Sequence, residues 1–281
     1  MKILIIPLSV DGYLKNSASE RFRCDWLLPY LEADKYDGSQ NLNNYEVIIY
    51  QKAYTSPWVR QLAAERKGKC LQIWDVTDPE WVYRAKLAKE MIDSIDVITV
   101  STTALKRSIK KVTNKPVYII PHRHELSFYK EKKVHRNILK PALVWFGYAC
   151  NFARVIPLLP YINSKHYNLT AICEQPVHWK TYRPDFIPWG LHTVNKDIIR
   201  GDIVLNPLDD EGYVSNNKSV FSWLLGMPVA ETIEDIERFK DYNERVKESE
   251  KRMKEARKKY DIRHSAKELE SIIRKGTQSL S

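Results

Sequence analysis

Short runs of Ile, Val and Leu alternate with helical stretches along most of this chain, and this alternation restricts the possible folds more than any other feature. Continuous apolar runs of this length are typical of strands buried on both faces of a parallel sheet. A repeated strand–helix order needs crossover connections, which place helices on both faces of that sheet. The pattern is interrupted once, so the sequence predicts an α/β protein of two doubly wound units.

The first unit is predicted to span residues 1–135. Its strands are predicted at Lys2–Leu8, Glu46–Tyr50, Lys69–Trp74, Val97–Val100 and Val117–Ile120. Its helices are predicted at Ser19–Leu31, Pro57–Arg66, Trp81–Ile92 and Thr103–Val112, and Ser101 and Thr102 are suited to cap the last of them. A polar, basic stretch from Glu125 to Lys140 shows no strand pattern, and we interpret it as the connection between the units.

The second unit is predicted over residues 136–239, followed by a charged helical tail over residues 240–281. Its strands are predicted at Ala142–Phe146, Asn168–Ile172, Asp202–Leu205 and Pro228–Ala230. Its helices are predicted at Asn151–Leu159, Val194–Arg200 and Asn217–Leu225. The tail is rich in lysine and poor in large apolar residues, which is typical of a helix on the surface or docked along a neighbour.

The composition is that of a globular protein in a reducing compartment. Of 281 residues, 43% are hydrophobic, which is enough for a sizeable core. No apolar run is long enough to predict a membrane span, and the apolar start is too short for a signal peptide. The four cysteines form no CxxC pair and have no metal-ligand spacing, which favours buried thiols and a cytoplasmic location.

The net charge of +10 is unevenly distributed along the chain. Residues 1–135 and 240–281 carry the excess of Lys and Arg, whereas residues 136–239 are close to neutral. Between Lys106 and Arg136 there are ten Lys or Arg and only two acids. This asymmetry favours an anionic partner for part of the molecule, although a solvated surface gives the same pattern.

Ligands of doubly wound sheets bind beyond the carboxyl ends of the strands, where loops and helix N-termini meet. The segments that follow the predicted strands are therefore the candidate binding loops. These loops are Ser9–Glu20, Trp74–Glu80, Pro121–Glu125, Gly147–Arg154, Glu174–Trp189 and Asn206–Lys218.

Several of these loops resemble motifs of the family 4-like glycosyltransferases. The first loop and the helix after it resemble the family's opening at Gly12, Ser19, Arg21, Arg23, Tyr30 and Leu31. The segment LQIWDVTDPEW is similar to an acidic strand end of the family, at Asp75 and Asp78, and IDSIDVITVSTTALKRSI followed by VYIIPH resembles its next signature. In the second half, RGDIVLNPLDDEGYVSNNKSVFSWLLGMPVAE resembles an element that ends in G-x-P-V, at Asp202, Pro207, Lys218, Gly226, Pro228 and Val229.

The resemblance covers nearly the whole chain and implies the GT-B fold, in which two Rossmann-like doubly wound domains face each other across a cleft. It implies that the C-terminal domain binds the donor, that the N-terminal domain binds the acceptor, and that a C-terminal helix returns to the N-terminal domain. The implied co-substrate is a nucleotide-diphosphate sugar, with a UDP-sugar favoured, and the fold implies neither a tightly bound cofactor nor a metal. The implied activity is transfer of a hexose-type sugar to a hydroxyl.

The sequence also departs from the family pattern. Phe221 occupies the position of the family's ribose-binding carboxylate. The usual Arg and Lys after the first strand of the second domain are missing, where this chain reads FGYACNFARV. Donor binding is therefore expected to use other residues.

Lys218 is the strongest candidate for donor binding. It lies at the predicted N-terminus of a helix, where unpaired N–H groups and a cation suit a diphosphate, although a simple surface cap is the alternative. Gly147 would let backbone approach a ligand, and Arg21 has the donor geometry for phosphate. The other donor-binding candidates are Gly12, Tyr148, Asn151, Glu174, Trp189, Ser215, Asn216, Asn217 and Ser219.

Four residues that follow predicted strands are the candidate acid–base groups. They are Asp11, Asp75, Asp78 and His122. An inverting transfer needs a base to take the proton of the acceptor hydroxyl, whereas a retaining transfer can use the leaving phosphate. Asp78 precedes Pro79 and is also suited to cap a helix, and a loop histidine such as His122 is often structural.

The basic residues of the first unit are assigned to an anionic acceptor. The candidates are Arg23, Lys106, Arg107, Lys110 and Arg123. Double-stranded DNA with hydroxymethylated pyrimidines, as used by phage-type DNA glycosyltransferases, is the favoured acceptor, because its phosphates would meet this basic surface. A lipid-linked glycan at an anionic membrane and a plain saccharide are alternatives. A non-enzymatic nucleotide- or nucleic-acid-binding module is the alternative outside catalysis.

Overall fold

The computed structural model describes residues 1–12, 17–207, 212–213 and 215–278. Parts of the predicted ligand loops Ser9–Glu20 and Asn206–Lys218 lie outside these residues. The chain divides into two compact units: unit 1 contains Met1–Glu125, Glu211–Ser215 and Asp261–Ser281, and unit 2 contains Leu126–Asp210 and Asn216–Tyr260.

Unit 1 is built on a six-stranded sheet in the order β2-β1-β3-β4-β5-β6, and each pair of neighbouring strands is parallel. The strands are β1 (Ile3–Ile6), β2 (Asp34–Lys35), β3 (Val47–Gln51), β4 (Leu71–Val76), β5 (Val97–Val100) and β6 (Val117–Ile119). Strands β1, β3, β4 and β5 are buried along their whole length, as continuous apolar runs predict.

Helices cover both faces of this sheet. They are α1 (Ala18–Glu20), α2 (Leu28–Leu31), α3 (Pro57–Glu65), α4 (Glu80–Tyr83), α5 (Ala85–Ser94) and α6 (Thr103–Ile109). Thr102 caps α6, because its side chain accepts from the backbone N–H of Leu105. Two apolar clusters result, and the first contains Trp74, Trp81 and Met91.

Unit 2 is built on a five-stranded parallel sheet in the order β11-β10-β7-β8-β9. Its strands are β7 (Leu143–Phe146), β8 (Leu169–Cys173), β9 (Asp185–Pro188), β10 (Ile203–Leu205) and β11 (Val229–Ala230). Its helices are α7 (Leu159–Ser164), α8 (Val194–Ile198), α9 (Asn217–Leu224), α10 (Ile233–Arg238) and α11 (Tyr242–Lys259).

The last helix, α12 (Ile262–Gln278), belongs to unit 1. Its buried residues Ile262, Leu269, Ile272 and Ile273 join the second apolar cluster of unit 1 together with residues of β1 and β4. The long helix α11 belongs to unit 2. The tail predicted over 240–281 is therefore divided between the units, and unit 2 begins at Leu126, before the boundary predicted at residue 135.

Each sheet has one point at which the strand order reverses. In unit 1 the chain passes from β1 to its neighbour β2 and then returns to β3 on the other side of β1. In unit 2 it passes from β7 through β8 to β9 and then returns to β10 on the other side of β7. Such topological switch points open a crevice at the carboxyl ends of the strands, which is where open α/β sheets bind ligands.

Several predicted helices differ from the structure. The helix predicted at Ser19–Leu31 is interrupted, because α1 leads into a π-helical turn over Arg21–Asp25 before α2 begins. The helix predicted at Trp81–Ile92 is two helices, since Arg84 takes a non-helical conformation between α4 and α5. A ten-residue 3-10 helix over Ala149–Leu158 replaces most of the helix predicted at Asn151–Leu159.

Candidate functional site

Lys218 lies in the first turn of α9, directly after the loop that leaves β10 at the switch point of unit 2. The N-cap residue Asn216 makes no side-chain hydrogen bond to the helix, and its amide instead donates to the Tyr260 hydroxyl at 2.8 Å. The first N–H groups of α9 thus keep their capacity to bind an acceptor from outside the helix.

The ammonium group of Lys218 is held in a desolvated position. It lies 5.0 Å from the ring centroid of Trp145, on the central strand β7. Burial, and to a smaller extent the charge of Arg154, lower the pKa of Lys218 from 10.5 to about 8. Within the described part of the chain, no carboxylate forms an ion pair with Lys218. An unpaired, desolvated cation at a helix N-terminus is suited to an anionic ligand.

Gly147 directly follows β7, and the end of the Lys218 side chain lies where a side chain at position 147 would begin. A Cβ atom at this position would lie 2.5 Å from Lys218 Nζ and 2.9 Å from Lys218 Cε. The φ angle of Gly147 is 147°, a conformation that residues with a side chain rarely adopt. Glycine is therefore required here for both backbone conformation and the position of Lys218.

The other predicted donor-binding residues of unit 2 have different surroundings. Ser219 is buried and accepts from the Asn206 amide at 2.9 Å, which fixes the start of α9. Both carboxylate oxygens of Glu174 accept from the backbone N–H of Ala149 at 3.0 Å. Glu174 is thus engaged in holding the loop after β7, although it remains exposed at the edge of the site.

The aromatic and amide candidates also differ from one another in their exposure and their contacts. Trp189 packs against the apolar cluster of unit 2, which favours a structural role over a platform for a base. Tyr148 is 45% exposed in the loop after Gly147, where Asn151 donates its backbone N–H to the Tyr148 carbonyl at 2.9 Å. Asn217 is partly buried in the first turn of α9, next to Lys218.

The switch point of unit 1 carries a turn that exposes Asp11 and Gly12. Asp11 Oδ1 accepts from the Ser56 hydroxyl at 3.0 Å and from the Trp58 indole at 3.1 Å, so its carboxylate joins the loops after β1 and β3. Gly12 has a φ of 83° and donates its N–H to the Ser9 carbonyl at 2.7 Å. No atom lies within 4 Å of a Cβ built at Gly12, so conformation rather than space requires glycine there.

Asp75 and Arg23, predicted as a catalytic residue and an acceptor-binding residue, form a buried ion pair with each other. Arg23 Nε donates to Asp75 Oδ2 at 2.9 Å, and a second guanidinium nitrogen contacts Asp75 Oδ1, which also accepts from Thr99 at 2.5 Å. Asp75 is 4% exposed and Arg23 is 3% exposed. Both side chains are therefore bound to each other inside unit 1, and neither is exposed to solvent.

Arg21 is also buried, with its guanidinium 5.8 Å from the Phe22 ring centroid. It lies in the π-helical turn that follows α1. Arg21 is 6% exposed, so a phosphate contact by this arginine stays a prediction for a nearly buried side chain.

Lys52 is a site residue that the sequence patterns missed. It directly follows the strand β3 and has a φ of 54°, which is uncommon for a residue with a side chain. Its ammonium group forms ion pairs with Asp78 and with Glu80, the latter at 3.4 Å. Burial on its own lowers the pKa of Lys52, but the combined effect of the Asp78 and Glu80 carboxylates is larger, and the pKa of Lys52 is raised above its usual value. Asp78 remains half-exposed and is the accessible carboxylate of this cluster.

His122 is the other buried titratable group at this edge of unit 1. Its Nδ1 lies 2.7 Å from the Ser215 hydroxyl, so Ser215 belongs to unit 1 and not to the loop around Lys218. Burial, with a smaller effect from Arg23, lowers the pKa of His122 well below 6.5, which keeps the ring neutral at pH 7. Among the described residues, Nε2 has no hydrogen-bond partner.

The predicted acceptor-binding cations are only partly available. Arg123 makes two 2.7 Å contacts to the Glu268 carboxylate and one to Ser265, which attach the segment after β6 to α12. Arg107 and Lys110 are exposed on α6 and Lys106 is partly buried there. In the part of the chain that is described, none of these three forms an ion pair.

Comparison with solved structures identifies the fold. The crystal structure of Anabaena Alr3699/HepE in complex with UDP superposes with a TM-score of 0.66 at 9% identity, covering 98% of this chain and 100% of that chain. The chain has the GT-B fold. No protein-family model and no curated protein matches the sequence.

Two further structures show weaker similarity. One is the Glycosylation Associate Protein (Gap123) complex from Streptococcus agalactiae, with a TM-score of 0.46 and 11% identity, covering 81% of this chain and 54% of that chain. The other is the spinosyn forosaminyltransferase SpnP, with a TM-score of 0.45 and 9% identity, covering 97% of this chain and 99% of that chain.

Within this GT-B fold, two groups of polar residues lie at the switch points of the two sheets. In unit 2 the group is centred on Lys218 and Gly147. In unit 1 Asp11 and Lys52 follow β1 and β3 at the switch point, whereas Asp78 and His122 follow β4 and β6 farther along the same sheet. A search of the described residues found no group of three or more His, Cys, Asp or Glu that could hold a metal ion. None of the described helices is both long and apolar enough to cross a membrane.

Proposed function

We propose that the protein transfers a hexose-type sugar from a nucleotide-diphosphate sugar to a hydroxyl acceptor. The observation that carries this proposal is Lys218, a desolvated cation with no described carboxylate partner, at the N-terminus of α9 and beside the switch point of unit 2. A diphosphate supplies a negative charge that no described carboxylate gives Lys218, and it can accept hydrogen bonds from the N–H groups of α9.

The nucleotide is proposed to be UDP. The Anabaena structure that shares the fold is a complex with UDP, which makes UDP the first nucleotide to test. Phe221 occupies the position of the family's ribose-binding carboxylate, and exposed Glu174 is the candidate to replace it, because the one N–H of Ala149 leaves acceptor capacity on both of its oxygens. Exposed Tyr148 and the backbone around Gly147 are the remaining groups beside Lys218 for contacts to the nucleoside.

His122 is the proposed general base if the transfer inverts the anomeric centre. A general base must be unprotonated, and burial keeps the imidazole of His122 neutral. The Ser215 hydroxyl lies 2.7 Å from Nδ1, so Nε2 is the nitrogen that would take the proton of the acceptor hydroxyl. Nε2 is buried, so this role requires that acceptor binding opens a path to it. Asp78 and Asp11 are weaker candidates, because Lys52 pairs with the first and two donors bind the second.

Several cations that the sequence analysis assigned to a DNA acceptor are bound within the fold. Arg23 and Arg123 are bound to Asp75 and Glu268. Two further cations of the basic stretch are also engaged, since Lys115 bonds the Ile95 carbonyl and Lys133 pairs with Asp202 at 2.8 Å. Lys110, at the end of α6, donates to the Lys115 carbonyl at 2.9 Å, so what remains of the predicted contact surface is Lys106 and Arg107 on α6.

Calorimetric titration of the protein with UDP, GDP and dTDP, followed by assays of UDP-sugar consumption with and without EDTA, tests the proposal. We expect UDP to bind and a UDP-sugar to be consumed slowly even without acceptor, and we expect EDTA to have no effect. A protein that binds none of these nucleotides would not be a nucleotide-sugar transferase. Binding without any consumption, in the presence of a panel of acceptors, would favour the non-enzymatic binding module.

A further inference from the structure

The surface around α4 in unit 1 exposes neighbouring apolar side chains. Val82 and Tyr83 are 59% and 68% exposed, and Val112, just beyond α6, is 53% exposed. Single exposed apolar residues are common on protein surfaces and need no explanation. Grouped ones that polar residues surround are typical of sites that bind another surface.

A hydrogen bond places these residues on one surface. The buried Trp81 donates its indole N–H to the Ser108 hydroxyl on α6 at 2.9 Å. The turn beyond α6 continues from Ser108, because Lys111 donates its N–H to the Ser108 carbonyl at 3.1 Å. Lys111 and Val112 therefore lie in the turn directly after α6, close in the chain to Ser108, whose side chain contacts α4.

Exposed lysines border this apolar group. Lys86 follows Val82 and Tyr83 at the start of α5, and Lys110 and Lys111 precede Val112. The apolar–basic patch is defined here as Val82, Tyr83, Lys86, Lys110, Lys111 and Val112. No described carboxylate pairs with its lysines, and the nearby acids Glu80 and Glu90 are bound to Tyr54 and Arg60.

We propose that the apolar–basic patch docks the protein on an anionic membrane surface. Tyrosine and valine side chains enter the boundary between headgroups and acyl chains, and lysines beside them meet anionic headgroups. A nucleic-acid backbone would meet the lysines equally well, but it offers no apolar layer for Val82, Tyr83 and Val112. The inference is independent of the donor site, because membrane binding can be measured without nucleotide.

A second basic surface of the chain provides a matched control. Lys247, Lys251, Lys254 and Lys258 follow the spacing of one face of α11 in unit 2, and all four are exposed. None of the exposed large apolar residues lies on this helix. Removing two lysines from α11 changes the net charge as much as removing two from the patch, but it leaves the apolar–basic patch intact.

The test is co-sedimentation of the full chain with vesicles of phosphatidylcholine alone or with about one third phosphatidylglycerol, at low and high salt. We expect binding to the anionic vesicles only. Lys110→Gln with Lys111→Gln should weaken it about 25-fold, at about fivefold for each cation near the surface. Val82→Ser with Tyr83→Ser should weaken it about tenfold and keep its salt dependence, since the lysines remain. Lys251→Gln with Lys254→Gln should bind as the wild type does.

Four outcomes would overturn the proposal. The first is a wild-type protein that does not bind anionic vesicles at low salt. The second is a Val82→Ser, Tyr83→Ser variant that binds as tightly as the wild type, which leaves no role for the apolar side chains. The third is an equal loss in the α11 control, which would indicate a response to net charge alone. The fourth is a patch variant that loses affinity for duplex DNA but not for vesicles, which would make the surface a nucleic-acid site. Thermal unfolding of each variant establishes that it is folded.

Discussion

Replacing Lys218 with methionine is expected to stabilise the protein while it weakens donor binding at least tenfold. Methionine keeps the length and the apolar stem of the side chain but removes the charge that burial disfavours. The pKa of Lys218 is lowered from 10.5 to about 8, mainly by burial. At about 1.4 kcal/mol for each pKa unit, the charged form costs up to about 3 kcal/mol in the folded state, before solvent screening reduces it.

The pH dependence of this cost has a definite sign. Below pH 8 both the folded and the unfolded chain carry the charge at Lys218, so the folded state bears the whole cost. Between pH 8 and 10.5 the folded state releases its proton first, and the wild type gains stability relative to Lys218→Met as the pH rises. The difference in the free energy of unfolding between the two proteins should therefore be largest at neutral pH and small near pH 10.5.

Urea unfolding at pH 7 and at pH 10, with UDP titration of the same two proteins, measures both effects. We expect Lys218→Met to unfold at higher urea at pH 7 and to bind UDP at least tenfold more weakly, because a charge-assisted contact contributes roughly 1.5–3 kcal/mol. Lys196→Met, which removes an exposed lysine of α8 in the same unit, should change neither quantity. A Lys218→Met protein that is less stable than the wild type at pH 7, or one that binds UDP normally, would refute the reasoning.

Four further predictions concern other residues of the two units. Gly147→Ala should weaken UDP binding in titrations at least as much as it weakens stability, because its Cβ would displace Lys218 Nζ; Gly68→Ala, strained but without a steric contact, should leave UDP affinity unchanged. Asp75→Asn should lower the free energy of unfolding by about 3–5 kcal/mol, because it leaves the Arg23 charge buried without its carboxylate partner. Asp78→Asn, at a half-exposed position, should lower it by less than about 1 kcal/mol in the same urea experiment. If His122 is the base, kcat/KM should stay constant between pH 7 and pH 6, because the pKa of the ring lies well below 6.5; a fall toward pH 6 that His122→Asn removes would contradict its neutral state. Lys106→Gln with Arg107→Gln should reduce low-salt binding of duplex DNA in gel shifts if α6 is a DNA-binding surface, and absence of wild-type binding at low salt would exclude DNA as the acceptor.

The strands that the sequence predicted are those that the hydrophobic effect specifies locally. Strands β3 and β5 are continuous apolar runs, and burial on both faces leaves no other arrangement for them. Strands β2 and β9 were missed because they contain polar residues and are largely exposed. Their conformation comes from backbone pairing with β1 and β8, which no pattern within the short segments indicates.

For the candidate site residues too, the sequence predicted what depends on local signals and did not predict what depends on contacts between distant parts of the chain. The position of Lys218 followed from a helix start after a strand, and the structure places it in the first turn of α9. The pairing of Arg23 with Asp75 joins residues on different elements, so the sequence suggested two exposed functional groups where the fold has one buried ion pair. The sequence does not indicate the positive φ of Lys52 either, because lysine has no preference for that conformation.

The position of α12 has a consequence for the order in which the protein can be made. The apolar face of α12 completes one of the two clusters that cover the sheet of unit 1, so the strands of residues 1–125 keep exposed apolar surface until residues 262–273 have been synthesised. All residues of unit 2 are synthesised before α12. The first unit to be started is therefore the last to be completed, and its exposed apolar surface must avoid aggregation during that interval.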